Sequence, residues 1–591
     1  MNRILLAGVS ITTLLVSSLI GVQAADRVWR WSWPEFNGPE PVAEVCDFKY
    51  GKRWVYSVDI DDTPLSNYTI SFPVLSEYHF TDAPPGIAGG NRKPFVGNAA
   101  IYAARINPTD EIYNWNLLSW GQIQEMCEAG WGIANHAYTS AAYGLTEEQL
   151  REEIYWNQVL IGWYTPNRRA TNYFVYPSGD TAYRPYLADY GILAGGIQGG
   201  PPTNINSSNL DWTDLKRINL DEPVWSQSDD PYVWFPDPPK DGDVFVDFTH
   251  WMETDPEHPN RVRWSERLGM IESLYGEHGA DDVWSTSIDE AVAYDVARHN
   301  ASVDVSNNQV TLTLGGNAPS TSLTLKITGI PESVPLTAPK DGLLYRQGDV
   351  VWVTTPSLGG PVGSRLPSPN LRCIYNGPVK DLDWPETVEL AGVRILQHGG
   401  KADETISVDV VEPDGELLEI GSSTGTLWAV WMLFASVPNE KPWSAKGLRV
   451  TGNTNAHKKM EVWAVDPINA WRENYFQNRD SSGDAEDYAD CDGDQFSNFA
   501  EYAFCSDPRD SSSRPIALAV EPTSDKALGI EILCRAGLVV PTYTAEYSLD
   551  MKKWTVGGEL DGAPFDNGDG TLTARFRSPA ALHRFLRVFA N

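Results

Sequence analysis

The chain has 591 residues, and its 79 Asp and Glu against 45 Lys and Arg leave a formal charge of −34. A surface of that sign repels a polyanion, which excludes nucleic acid as a default partner. Hydrophobic residues at 42% and charged residues at 21% exclude a mostly disordered chain, and the length points to about three or four domains. Residues 1–24 come first, with a cationic start at Arg3, an apolar run from Ile4 to Ile20 and a Val22-Gln23-Ala24 end. This is the pattern of an export signal, so a mature chain from Ala25 is expected, secreted or otherwise extracytoplasmic, in a periplasm or at a cell surface. No later run approaches the roughly 18 to 20 apolar residues of a spanning helix, so no membrane span is expected.

Between residues 54 and 300, β-type runs at 54–59, 173–176 and 244–248 alternate with helix-type runs at 119–129, 146–161, 263–275 and 287–299. That alternation predicts an α/β unit. Beyond residue 300 the helical period gives way to alternating strands at 309–314, 322–327 and 350–354, with turn-rich breaks near 361–369 and 465–478. The predicted organisation is a leader at 1–24, an α/β unit at 25–300, a β module at 301–365, a β-sandwich at 366–470 and a tail module at 471–591.

The tail module opens on an acidic loop in which Asp490, Asp492, Asp494, Asn498 and Glu501 occupy positions one, three, five, nine and twelve, with the Phe496 carbonyl at seven. Oxygen donors at that spacing wrap one hard cation, and Ca2+ is the expected occupant, in a structural role. Gln495 departs from the pattern where the sharp turn prefers Gly; a solvated acidic linker is the alternative. Six cysteines, Cys46, Cys127, Cys373, Cys491, Cys505 and Cys534, are free to form disulfides in an oxidising compartment, and Cys491 with Cys505 would staple this loop.

Four segments of the α/β unit put reactive side chains at strand ends. The first is Asp59-Ile60-Asp61-Asp62-Thr63, a strand running into a turn with adjacent carboxylates. The second, Asn135-His136-Ala137-Tyr138-Thr139-Ser140, places an imidazole after a short apolar run. The third is Tyr173-Phe174-Val175-Tyr176-Pro177-Ser178-Gly179, and the fourth, Phe248-Thr249-His250, ends a strand in a second imidazole. In an α/β barrel, strand C-termini face the site, so these residues would point toward substrate.

In this order the segments resemble the NodB-homology polysaccharide deacetylases, carbohydrate esterase family four, across roughly residues 50–300. The resemblance implies a distorted (β/α) barrel followed by β modules, with Asp61 as general base, His250 as general acid, and Asp62 and His136 as ligands of Zn2+ or another divalent metal. The family's second motif carries a further histidine where Ser140 stands, which leaves Ser140 or His79 as the third ligand position. Tyr176, Pro177 and Ser178 correspond to the wall beside the oxyanion, but the arginine expected at Val175 is missing; Trp212 is the remnant of a fourth motif. Residues 283–290 match the closing helix. The implied activity is removal of N- or O-acetyl groups from an acetylated polysaccharide. Two other readings stand beside it: a catalytically impaired glycan-binding protein, and a calcium-braced surface adhesion protein.

Overall fold

The computed structural model describes residues 27–590 apart from 110, 166–169, 222–234, 236–237, 316–317, 359–370, 399–404, 425–429, 436–441, 453–455, 477–482, 488, 495, 515–516, 521–528, 536–542, 549–553, 568–570 and 579–584. The export signal at 1–24, the break at 361–369 and Gln495 therefore lie outside the described residues.

Seven parallel strands close into a barrel: β1 (Trp54–Ile60), β2 (Asn98–Ile101), β3 (Gly132–Asn135), β4 (Tyr173–Val175), β5 (Ala194–Gln198), β6 (Leu215–Asn219) and β7 (Asp243–Thr249). Each pairs with the next, and β7 returns to β1 with Val244 opposite Val55 and Thr249 opposite Ile60. β1 is buried along its whole length, as a parallel strand covered on both faces must be. An eighth strand, β8 (Val283–Ser285), takes the first half of one edge of β1, and β2 takes the second half at Asp59 and Ile60.

Helices α1 (Trp120–Glu128), α2 (Glu147–Tyr164), α3 (Pro259–Tyr275) and α4 (Ile288–His299) belong to this unit. The starts of α1 and α2 are set by reciprocal capping boxes, Ser119 with Gln122 and Thr146 with Gln149. α4 begins at the Ser287 cap, carries Asp289 and Glu290 in its first turn and Arg298 and His299 in its last, and so complements its own dipole at both ends. Its first amide, on Ile288, donates to the Asn98 side chain at 3.1 Å, which ties α4 to β2.

The first strands of the chain pair with strands that follow the barrel in sequence. Arg27–Ser32 pairs antiparallel with Gln309–Leu314, and Val42–Val45 pairs with Thr324–Thr328. Two small antiparallel sheets are thus completed by residues from both sides of the barrel, and they share one continuous hydrophobic core with it. A seven-stranded antiparallel sheet group spanning Leu371–Val465 has its own core. It docks on the barrel through Trp463, which meets Trp156 and Trp163 edge-on, and through Trp431, whose indole donates to the Ile106 carbonyl at 3.0 Å. A second sheet group follows within Ala517–Ala590. Among the described residues no helix is long and apolar enough to cross a membrane. No disulfide joins any of the six cysteines, so the expected Cys491–Cys505 staple is not formed.

Candidate active site

β1 carries three carboxylates toward the C-terminal mouth of the barrel. Asp59, fully buried, accepts from Asn98 at 2.7 Å and from the Tyr173 hydroxyl at 2.6 Å. Burial pushes its carboxyl up to about 6 even though the Arg217 guanidinium pulls the other way. Asp61 is gripped by the same guanidinium through two bonds, Nη1 to Oδ1 at 2.9 Å and Nη2 to Oδ2 at 3.1 Å. Such a fork fixes the carboxylate plane as well as its position. Arg217 itself lies over the Phe248 ring at 4.2 Å.

Beyond Asp61 the chain turns sharply. Asp62 and Thr63 both have left-handed backbones, with φ of 69° and 56°. For a β-branched residue such as Thr63 that conformation is strained. It is pinned from both sides, by Asp61 N–H to the Thr249 carbonyl and by Leu118 N–H to the Thr63 carbonyl. The turn presents Asp62, whose side chain is half exposed, to His136 at the end of β3, with Oδ1 and Nε2 3.4 Å apart. His136 Nδ1 faces the Val175 carbonyl at 2.8 Å; a carbonyl only accepts, so this nitrogen carries a proton, and Nε2 is the atom turned to Asp62. Partial burial raises the Asp62 carboxyl, but the His136 bond and the nearby His250 and Arg105 outweigh it and hold the group below its usual range.

His250 follows β7 and opens to solvent. Its Nδ1 lies 2.6 Å from Asp221 Oδ2, and its backbone N–H donates to Asp221 Oδ1 at 3.0 Å. Thr249 Oγ1 also donates to Asp221. The hydrogen bond to Asp221 pushes the imidazole up to about 8 against the opposing effect of burial, with Asp61 and Asp62 adding to the rise. Asp221 is buried, and the bonds from His250 and Thr249 overcome that burial to hold its carboxyl low.

Asp61, Asp62, His136 and His250 are thus brought to one mouth. Pro177 and Ser178 follow β4 at the same end, where the Tyr143 hydroxyl donates to the Ser178 carbonyl at 2.7 Å. Ser140 lies four residues beyond His136 with a left-handed backbone. Tyr176 is buried, with its hydroxyl donating to the Thr213 carbonyl at 2.8 Å, and so does not form part of an open wall. Trp212 precedes β6 and is buried, its indole bonded to Asp295 of α4 at 2.8 Å. His79 is also elsewhere: it contacts Arg92 at 3.1 Å and groups with Glu272 and Glu277 at the end of α3. It is therefore no third ligand for the Asp62–His136 pair.

Arg217, Asp221 and Asp59 were not singled out by sequence reasoning. Arg217 replaces the charge that seemed lost at Val175, arriving from β6 instead. Its sequence signal is the alternation of Arg217 and Asn219 with Ile218 and Leu220, with Asp221 just past the strand's end.

The Asp62–His136 pair fits a divalent cation. Tetrahedral zinc with ligands at about 2.0–2.1 Å places neighbouring donors about 3.4 Å apart, which is the separation found. Among the described residues no further His, Cys, Asp or Glu joins them as a third donor, so water would complete the shell.

No protein-family model matches the chain, and no curated protein matches it. Solved structures with some likeness include a Streptococcus pyogenes deacetylase, PplD, in complex with acetate (16% identity, 27% of this chain and 62% of that one, TM-score 0.21). A T48 deacetylase with substrate (10% identity, 41% and 92%, TM-score 0.25) is another. A third is a family 4 acetyl xylan esterase from Clostridium thermocellum in complex with a cobalt ion (12% identity, 39% and 98%, TM-score 0.23). Likenesses this slight add nothing to the functional reading, which rests on the residues above.

Proposed function

We propose that the chain is an exported hydrolase that removes acetyl groups from a polysaccharide. One observation carries this reading: at a single barrel mouth a carboxylate locked by arginine, Asp61, faces an imidazole raised by a buried carboxylate, His250, with the Asp62–His136 pair beside them. Hydrolysis of an acetamide or acetyl ester needs a base and an acid in that relation. Asp61 takes a proton from the attacking water, whose oxygen bonds to the acetyl carbon. The C–N or C–O bond then breaks, and His250 gives its proton to the departing amine or alkoxide, leaving acetate. Both Asp61 oxygens keep a lone pair for this role, since Arg217 uses only one on each. The chemistry a bound divalent cation supplies at Asp62 and His136 is Lewis acidity toward the carbonyl and a lower pKa for its water.

Support for a sugar polymer comes from the rim. Trp115 (76% exposed) stands on the loop after β2, and Tyr143 (66% exposed) on the loop after β3. Loop 107–119 borders the reactive turn directly, with Leu65 N–H donating to the Asn116 carbonyl at 2.8 Å. Flat apolar faces held in water at a site's edge suit the faces of sugar rings.

The test is acetate release from acetylated chitin oligomers, peptidoglycan and acetylated xylan, with and without chelator, alongside metal content of the same preparation. Release that requires metal and falls at least a hundredfold in Asp61→Asn supports the reading; no release from any of the three under added zinc or cobalt sinks it. The two-donor metal pair favours a second reading, a glycan binder without turnover. That reading predicts retention on an acetylated-glycan column, unchanged in Asp61→Asn and unaffected by chelator.

A further inference from the structure

Remote from the barrel, the acidic loop at 490–501 holds a set of oxygens that the protein alone leaves unsatisfied. Ligand oxygens of Asp490, Asp492 and Asp494 all lie within 4.8 Å of one another. Two oxygens bound to one calcium at about 2.4 Å can be at most about 4.8 Å apart, so the three already occupy the space of one coordination sphere. The loop holds its shape through its own amides: Asp490 Oδ1 accepts from Gly493 N–H at 2.8 Å and Asp494 N–H at 3.1 Å, and Asp494 Oδ1 accepts from Phe496 N–H at 2.9 Å.

The independent observation lies deeper. Asp494 is 4% exposed, Asn498 1% and Glu501 fully buried, and Asp494 Oδ2, Asn498 Oδ1 and Glu501 Oε2 have no hydrogen-bond partner; neither has buried Asp492 Oδ2. Asn498 is turned deliberately, since its amide nitrogen is spent on the carbonyls of Asp484 at 2.6 Å and Glu486 at 2.7 Å, leaving Oδ1 as the idle end. The nearest cation is Arg514, whose Nε approaches Asp494 Oδ2 at 3.5 Å, beyond hydrogen-bond reach, from a side chain that is mostly exposed. Leaving several buried acceptors unmet is costly; here two belong to the aspartate cluster itself and two, on Asn498 and Glu501, to the helix that follows it, as a cation site would require.

Helix Asn498–Phe504, which carries two of these residues, also lies between two β modules. On one side the Tyr502 hydroxyl reaches Asp466 at 3.3 Å, and Asp466 is bonded to Arg372 of the sandwich at 2.9 Å. On the other, Arg535 of the terminal sheet lies over the Tyr502 ring at 4.2 Å and donates to the Tyr502 carbonyl at 2.5 Å, while Tyr543 donates to the Ala503 carbonyl at 2.7 Å. We propose that Asp490, Asp492, Asp494, Asn498 and Glu501, with the Phe496 carbonyl, bind one calcium ion, and that this ion rivets the helix joining the sandwich to the terminal sheet. A structural clasp between modules goes beyond the barrel's chemistry and stands or falls separately from it.

The experiment uses the full chain, stripped with chelator and titrated with calcium by calorimetry, followed by limited proteolysis with and without calcium. Asp492→Asn and Glu501→Gln are expected to lose at least tenfold in calcium affinity, whereas Asp62→Asn keeps it, which separates this site from the barrel pair. Calcium is expected to slow cleavage between Val465 and Gly529 in the wild type by at least tenfold, and not in Glu501→Gln. Glu501→Gln keeps the side-chain shape and removes a buried charge, so it folds without the ion and remains a fair control, checked by near-ultraviolet circular dichroism. No calcium uptake, or uptake unaltered in both loop variants, overturns the site; equal cleavage rates with and without calcium overturn the clasp.

Discussion

Two histidines at the same mouth are handled in opposite ways by the groups behind them. His136 donates Nδ1–H to the neutral Val175 carbonyl, whereas His250 leans on the carboxylate of Asp221, which favours its charged form. With the His250 value raised to about 8, acetate release is expected to decline as pH rises through about 8. Asp221→Asn should move that falling limb toward the ordinary histidine value of about 6.5, seen in kcat/KM against pH and in a histidine NMR titration. The same linkage bears on stability. A folded value above the unfolded one contributes stability that is complete below about 6.5 and lost as pH rises through about 8, so urea midpoints should show that drift in the wild type and not in Asp221→Asn. Arg217 has a different role, since it bonds two buried carboxylates at once. Arg217→Met leaves Asp59 and Asp61 without that charge, and a loss of about 3–5 kcal/mol in unfolding free energy is expected by urea titration.

At the scale of elements, β3 packs closely against the start of α4. A Cβ built on Gly132 would come within 2.4 Å of the Ser287 Cβ and 2.7 Å of Asn98 Oδ1. Gly132→Ala therefore pushes α4 from its cap and from Asn98, and a cost of about 1–3 kcal/mol is expected as a lowered Tm. Helices α1 to α4 were legible in the sequence because each combines an apolar period with a capping residue, Ser119, Thr146 or Ser287 among them. Asp61, Asp62, His136 and His250 were legible as strand-end residues for the same local reason. Arg217 and Asp221 were not, because their meaning depends on closure: only when β6 is set between β5 and β7 does Arg217 reach β1 and Asp221 reach the residue after β7. Tyr176 and Trp212 misled for the complementary reason, since their burial, with the hydroxyl bonded to Thr213 and the indole to Asp295, is invisible in a motif.

Across the whole molecule, the sheet group at Leu371–Val465 buttresses the loops that bear the site. Trp431 donates to Ile106 on the loop after β2, and its own carbonyl accepts from Tyr138 on the loop after β3. Arg394 lies buried over the Trp431 ring at 4.3 Å, 3.2 Å from Glu461. Trp431→Ala is expected to cost about 3–5 kcal/mol by urea unfolding and to loosen His136, reducing acetate release even though the residue touches no reacting group. The pairing of Arg27–Ser32 with Gln309–Leu314 and of Val42–Val45 with Thr324–Thr328 has a temporal side. A chain made or threaded from its N-terminus delivers these two strands early and their partners only after the entire barrel has emerged. Until then both edges stay bare, so the nascent chain offers a long window for capture by a chaperone or for mispairing with a sister copy. A fragment trimmed at residue 300 would inherit that exposure permanently.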